Sequence, residues 1–127
     1  MDRILIIEDD TETRILLRKG LEAAGLEVDT VWGGEKGLEA ARSGTFHAVV
    51  LDVMMPGMNG FEVLEALRQS ERTLDLPVII LTARTEDEVE KRALAAGANA
   101  FVTKPFKIGD LIHTIRECMD ARGERAD

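Results

Sequence analysis

Short apolar runs alternate along the chain with longer segments in which apolar residues recur at helical spacing. Residues 4–7, 48–51 and 78–81 are continuously apolar and rich in β-branched side chains. Such runs are too short for helices and are typical of strands buried on both faces of a parallel sheet. Residues 27–31 alternate and residues 100–103 end in a polar side chain, so we interpret both as edge strands.

Five further segments have the spacing and the boundary residues of helices. We predict helices over residues 12–24, 35–43, 60–70, 86–96 and about 108–121. Thr11 is the expected N-cap of the first helix, and Thr85 with Glu88 has the form of a capping box before the fourth. The last helix has the clearest apolar stripe along one face.

The alternation of strands and helices predicts one α/β domain built from five βα units. Right-handed crossovers and the division into buried and edge strands favour a doubly wound, flavodoxin-like parallel sheet in the order 2-1-3-4-5. Ligands in such sheets bind where the chain reverses direction, beyond the carboxyl ends of the first and third strands. We expect the domain to occupy residues 1–121 and the charged residues 122–127 to form a fraying tail.

Acidic residues cluster at that reversal. Glu8, Asp9 and Asp10 follow the first strand directly, and Asp52 follows the third. Like charges held this close raise the free energy of the fold unless a cation lies between them. Neither loop contains histidine or cysteine, so the candidate ligands are oxygen atoms, which favour a hard ion such as Mg²⁺. A solvated turn is the alternative interpretation of the first three residues.

The other strand ends supply groups that complement these carboxylates. Thr82 follows the fourth strand and Lys104 follows the fifth. A hydroxyl, an ammonium, carboxylates and a metal ion can together bind the oxygens of a phosphoryl group and neutralise charge during its transfer. Asp52 is then the natural nucleophile, because a carboxylate can form an aspartyl-phosphate. Taken singly, Thr82 could be a helix cap and Lys104 a solvated charge.

Four motifs in order give the chain a family resemblance. They are ILIIEDD at residues 4–10, VVLDVMMPGMNG at 49–60, ILTAR at 80–84 and FVTKPF at 101–106. Each motif alone is modest, but their order and spacing are very specific. Over residues 3–119 the chain resembles the receiver domain of two-component response regulators, in particular the chemotaxis-regulator type.

The resemblance implies a metal-assisted phosphoacceptor site. Asp9 would bind Mg²⁺ directly, and Glu8 would act through a water molecule. Asp52 would be both a metal ligand and the phosphoacceptor, and the backbone carbonyl of Met54 would complete the protein ligands. Mn²⁺ could take the place of Mg²⁺.

The resemblance also implies a conformational switch. Thr82 and Lys104 would bind phosphoryl oxygens, and the bond between Lys104 and Pro105 would be cis. On phosphorylation Thr82 would move toward the phosphoryl group and Phe101, where many relatives have tyrosine, would turn inward. These movements would repack the face formed by the fourth helix, the fifth strand and the fifth helix.

Composition and the resemblance together restrict the partners. The chain has 24 acidic and 16 basic residues and a net charge of −8, which argues against direct binding of nucleic acid. It has one cysteine and no apolar run near the ~20 residues of a membrane span, so we expect a cytoplasmic protein. The implied partners are a sensor histidine kinase or a histidine phosphotransfer protein, an unidentified output partner or domain, and a second copy in a phosphorylation-dependent homodimer.

Two other function classes remain open at this point. A phosphohydrolase of the haloacid-dehalogenase group also forms an aspartyl-phosphate, but it needs an aspartate two positions after the nucleophile, where this chain has Met54. A receiver-like scaffold that no longer reacts would be expected to lack part of the set of acidic, threonine and lysine residues, which is complete here. By contrast, the switch would catalyse only its own phosphorylation and dephosphorylation and would not be an enzyme.

The remaining conspicuous side chains receive no catalytic role. We expect Trp32 to lie away from the site, and His47 and His113 to be structural or surface residues. Arg14 is interpreted as part of the solvated face of the first helix. Docking of a kinase partner is the weaker alternative for Arg14.

Overall fold

Five parallel strands form one sheet in the computed structural model, which describes residues 1–84 and 86–126, with side chains as far as Arg122. The strands are β1 (Arg3–Ile7), β2 (Glu27–Val31), β3 (Ala48–Leu51), β4 (Val78–Thr82) and β5 (Ala100–Thr103). Their order in the sheet is β2-β1-β3-β4-β5, and every neighbouring pair is parallel. The predicted fold class, strand order and edge strands are therefore confirmed.

Five helices cover the two faces of this sheet. They are α1 (Thr11–Ala23), α2 (Gly34–Ser43), α3 (Gly60–Arg68), α4 (Asp87–Ala95) and α5 (Ile108–Ala126). In β1, Ile4 and Ile6 pack on the side of α1 and α5, whereas Leu5 and Ile7 pack on the side of α2, α3 and α4. Because successive side chains of a strand point to opposite faces, a strand covered on both sides must be apolar at every position.

The parallel register brings several strand ends to one edge of the sheet. Ile7 at the end of β1 pairs with Leu51 at the end of β3, and the backbone N–H of Asp52 donates to the carbonyl of Ile7 at 3.1 Å. On the other side of β1, the N–H of Glu8 donates to the carbonyl of Val31 at the end of β2. Residues that directly follow these strands are therefore neighbours in space.

The first helix begins one residue earlier than predicted. Its N-cap is Asp10, whose Oδ2 accepts hydrogen bonds from the N–H and the hydroxyl of Thr13. The expectation that Thr11 is the N-cap is thus wrong, because the carboxylate before it satisfies a free helical N–H group more strongly. A complete capping box is present at α3, between Asn59 and Glu62. Thr85, the cap predicted for α4, lies outside the described residues.

The last helix is longer than predicted and continues to Ala126. The sequence from Asp120 onward contains good helix formers, and one glycine within a helix costs only about 1 kcal/mol. Among the described residues, we find no helix with the length and apolar character that spanning a bilayer requires.

Candidate functional site

Three charged side chains from different strands meet at the edge where β1 and β3 end. Glu8 and Asp52 are 3% and 7% exposed. The Nζ of Lys104, which follows β5, donates a hydrogen bond to Glu8 Oε1 and lies 3.2 Å from Asp52 Oδ2. The backbone N–H of Lys104 donates to the carbonyl of Thr82 at 2.8 Å, which anchors the lysine beside β4. The ammonium is thus shared between two buried carboxylates.

The electrostatics of this cluster reflect two like charges in a space with little water. Burial, together with the hydrogen bond and the charge of Asp52, raises the pKa of Glu8 to about 7, although Lys104 acts in the opposite direction. Burial alone would lower the pKa of Lys104, but its contacts with Glu8 and Asp52 raise it. The lysine therefore stays charged and partly neutralises the two carboxylates.

Asp9 lies next to this cluster, and its carboxylate points to another loop. Asp9 Oδ1 accepts a hydrogen bond of 2.8 Å from the backbone N–H of Gly33, in the loop between β2 and α2. Over residues 1–84 and 86–126, no three acidic, histidine or cysteine side chains are gathered so that they could hold a metal ion as they stand. The structure therefore brings Glu8 and Asp52 together directly, with Asp9 at the rim of the cluster.

The donor set nevertheless fits a hard divalent cation. All the side-chain groups that meet here, apart from the lysine, present oxygen atoms, which Mg²⁺ prefers. Glu8 and Asp52 bring two buried carboxylates to the single ammonium of Lys104. A divalent cation would supply the remaining compensation.

The backbone after β3 orients the carboxylate of Asp52. The N–H of Met54 donates to Asp52 Oδ1 at 2.9 Å, while Oδ2 faces Lys104. The side chain of Met54 is 53% exposed, and its sulfur lies 3.6 Å from a guanidinium nitrogen of Arg84. The residue whose N–H binds Asp52 therefore also contacts Arg84 through its exposed side chain.

The remaining predicted residues lie on β4, on β5 and in the loop that follows β5. Thr82 is fully buried, and its hydroxyl accepts a hydrogen bond of 3.2 Å from the N–H of Arg84. Phe101 is partly buried against the core on the α2–α3–α4 side of the sheet. The bond between Lys104 and Pro105 is cis, as the resemblance implies.

Trp32 and Arg14 were not predicted at the site, yet both border it. Arg14 donates hydrogen bonds of 2.8 Å to the carbonyls of Glu8 and Asp9, so it is more than a solvated side chain. Its guanidinium carbon lies 5.5 Å from the ring centroid of Trp32. The expectation that Trp32 lies away from the site is wrong. Because β2 runs parallel to β1, the residue after β2 has to lie near the same sheet edge.

Comparisons with known proteins agree with this geometry. The transcriptional regulatory protein YkoG of Bacillus subtilis is 40% identical over 124 residues, covering 98% of this chain and 54% of that protein. The chemotaxis protein CheY4 of Vibrio cholerae is 31% identical, with a TM-score of 0.88 and coverage of 93% of this chain and 98% of that chain. The receiver domain of the sensor histidine kinase PA1611 from Pseudomonas aeruginosa, described with a magnesium ion coordinated in its active site cleft, is 25% identical, with a TM-score of 0.87 and coverage of 94% and 98%.

The matched share of the other protein's length differs between the curated relatives and the solved structures. This chain spans about half the length of the curated relatives it matches. It covers nearly all of the two receiver structures. The family described as the response regulator receiver domain matches residues 4–116. The chain therefore belongs to the receiver domains of two-component response regulators.

Proposed function

We propose that Asp52 accepts a phosphoryl group from a phosphohistidine on a sensor histidine kinase or a histidine phosphotransfer protein. The observation that carries the proposal is the buried carboxylate of Asp52 beyond β3, with the ammonium of Lys104 at 3.2 Å. A carboxylate oxygen forms a bond to phosphorus while the phosphorus–nitrogen bond breaks, and the imidazole leaves with that electron pair. Lys104 would bind a phosphoryl oxygen of the product.

A divalent cation completes this proposal. Asp9, Asp52 and the backbone carbonyl of Met54 would hold Mg²⁺ or Mn²⁺, with Glu8 acting through water. The ion would neutralise charge on the phosphoryl oxygens. The magnesium described in the PA1611 receiver domain supports this assignment. Glu8 and Asp52 already share one cation, the ammonium of Lys104, which is consistent with a pocket built for positive charge.

Phosphorylation would act as a switch. The hydroxyl of Thr82 lies at the end of β4, one strand from Asp52, and would move to a phosphoryl oxygen. Phe101 pairs in register with Ile80 of the same strand, and it would follow by turning inward. The phosphoryl group would thus favour one of two arrangements of the α4–β5–α5 face.

Receiver domains act as signalling switches, and we assign no activity to this chain beyond its own phosphorylation and dephosphorylation. Met54 occupies the position where a haloacid-dehalogenase enzyme needs an acid, which disfavours that alternative. Several relatives are named transcriptional regulators. We therefore propose that residues 1–121 form the receiver unit and that residues 122–127 are a charged extension of this unit. Output would pass through a further domain or through a partner protein.

Intact-mass analysis with a small phosphodonor tests this function. With Mg²⁺ present, the native chain should gain one phosphoryl group, and Asp52→Asn should gain none. Asp75→Asn, which changes an exposed aspartate before β4, should react like the native chain. Absence of an adduct on the native chain, or an equal adduct on Asp52→Asn, would overturn the assignment.

A further inference from the structure

Trp32 is an exposed aromatic residue that two cations contact. It is 57% exposed and lies between β2 and α2. The guanidinium carbon of Arg14 lies 5.5 Å from its ring centroid, and the Nζ of Lys36 lies 4.1 Å away. Both distances are within the range of cation–π attraction, for which the indole ring is the strongest partner. The ring therefore joins α1 to α2 at the rim of the acidic cluster.

Arg14 connects that ring to the backbone of Glu8 and Asp9, which we call the acidic pair. Its Nη1 donates to the carbonyls of Glu8 and Asp9 at 2.8 Å each, and its Nη2 donates to the hydroxyl of Thr11 at 3.1 Å. A planar guanidinium can donate along its edges while one of its faces meets an aromatic ring. Arg14 thus bridges the turn that carries both acidic side chains while its guanidinium lies against the ring of Trp32.

Trp32 also directly precedes the residue whose backbone N–H binds the side chain of Asp9. The next residue, Gly33, donates its N–H to Asp9 Oδ1 at 2.8 Å. Gly33 has a φ of 92°, which a residue with a side chain rarely adopts. The loop after β2 therefore reaches Asp9 directly through the N–H of Gly33 and indirectly through Trp32, which meets Arg14.

We propose that Trp32 is a positioning residue for the acidic pair, acting through Arg14 to preset the geometry in which Asp9 meets a divalent cation. The inference rests on the metal site of the proposed function. Mg²⁺ demands near-ideal ligand geometry, and partners that orient ligands change metal affinity by about 10–100-fold. Trp32 is one step further away, so Trp32→Ala should weaken divalent-metal binding by roughly three- to tenfold. Trp32→Phe keeps an aromatic face and should stay within about twofold of the native affinity.

Titration with Mn²⁺, following the free ion by electron paramagnetic resonance, measures this affinity without requiring phosphorylation. Leu74→Ala is the matched control, because Leu74 is similarly exposed at 50% but lies before β4, at the opposite end of the sheet. It should bind Mn²⁺ like the native chain. Equal affinities of Trp32→Ala and the native chain would overturn the inference and leave the proposed function intact.

A double-mutant cycle tests whether Trp32 acts through Arg14. If Trp32 acts through Arg14, adding Trp32→Ala to Arg14→Ala should change Mn²⁺ affinity by less than about twofold. Fully additive losses would refute action through Arg14. Failure of the native chain itself to bind Mn²⁺ would overturn the metal site and, with it, this inference.

Discussion

Arg68 shows how much structure one half-buried cation can organise. Its guanidinium donates to the carbonyls of Thr73, Leu76 and Gly97 and to the side chain of Asn99, at 2.8–3.1 Å. Burial lowers the pKa of Arg68, although the nearby charge of Asp75 acts in the opposite direction. Arg68 therefore joins the loop before β4 to the loop before β5, and the sequence alone did not single it out.

Removing this guanidinium should destabilise the fold. Arg68→Met keeps an unbranched side chain but leaves several carbonyls without a donor, so we expect the free energy of unfolding to fall by roughly 2–4 kcal/mol. Urea denaturation measures the change. Arg72→Met changes an exposed residue in the loop before β4 and should alter the free energy of unfolding by less than about 0.5 kcal/mol. Similar losses in both variants would contradict the role of Arg68.

At the scale of elements, the start of α3 is pressed against the backbone that carries Asp52. A Cβ atom on Gly60 would lie 2.5 Å from Val53 Cα and 2.6 Å from the carbonyl oxygen of Asp52. Both are backbone atoms, which cannot turn aside as a flexible side chain can. Gly109, near the start of α5, has nothing within 4 Å of the same position. Two helical glycines thus meet opposite surroundings.

Replacing these glycines should have opposite effects. Gly60→Ala forces α3 away from Asp52 and should lower the free energy of unfolding by about 2–3 kcal/mol. Gly109→Ala removes backbone freedom from the unfolded chain without a clash and should raise it by about 0.5 kcal/mol. Thermal unfolding of both variants provides the measurement. A stable Gly60→Ala protein would show that α3 can shift at little cost.

At the scale of the whole molecule, the site joins elements that are distant in the sequence. Lys104 comes from the loop after β5, yet it contacts residues that follow β1 and β3. The same loop leads into α5, and the preceding strand carries Phe101. Under the proposed function, a change in what Lys104 binds would reach the α4–β5–α5 face through the chain on either side of this residue.

Removing the ammonium of Lys104 should uncouple phosphorylation from the conformational change of the α4–β5–α5 face. Lys104→Ala should still bind a divalent cation, because the oxygen ligands remain, but it has no ammonium to follow the phosphoryl group. Hydrogen exchange of α4, β5 and α5, with and without a small phosphodonor, compares the responses. Lys107→Ala, an exposed lysine beside the same loop, should respond like the native chain. An unchanged response in Lys104→Ala would refute the linkage.

Much of the site followed from position alone. Parallel strands bring their carboxyl ends to one edge, so Glu8 and Asp52 had to be neighbours once the strand order was inferred. The N-cap at Asp10 and the extension of α5 to Ala126 were misjudged, because neighbouring candidate caps and good helix formers differ by only about 1 kcal/mol or less. The contact of Arg14 with Trp32 was not predicted because it joins helix α1 to the loop after β2, which are separated in the sequence.

By itself, the sequence determined the five-stranded sheet, its order and the edge at which charged groups gather. These features follow from local runs of apolar residues and from the two-residue period of a strand. Only the tertiary structure decided which carboxylate faces Lys104, that Asp9 turns to Gly33, and which cations meet the ring of Trp32. These contacts depend on distances of a few ångströms between groups in separate helices and loops, which periodicity does not encode.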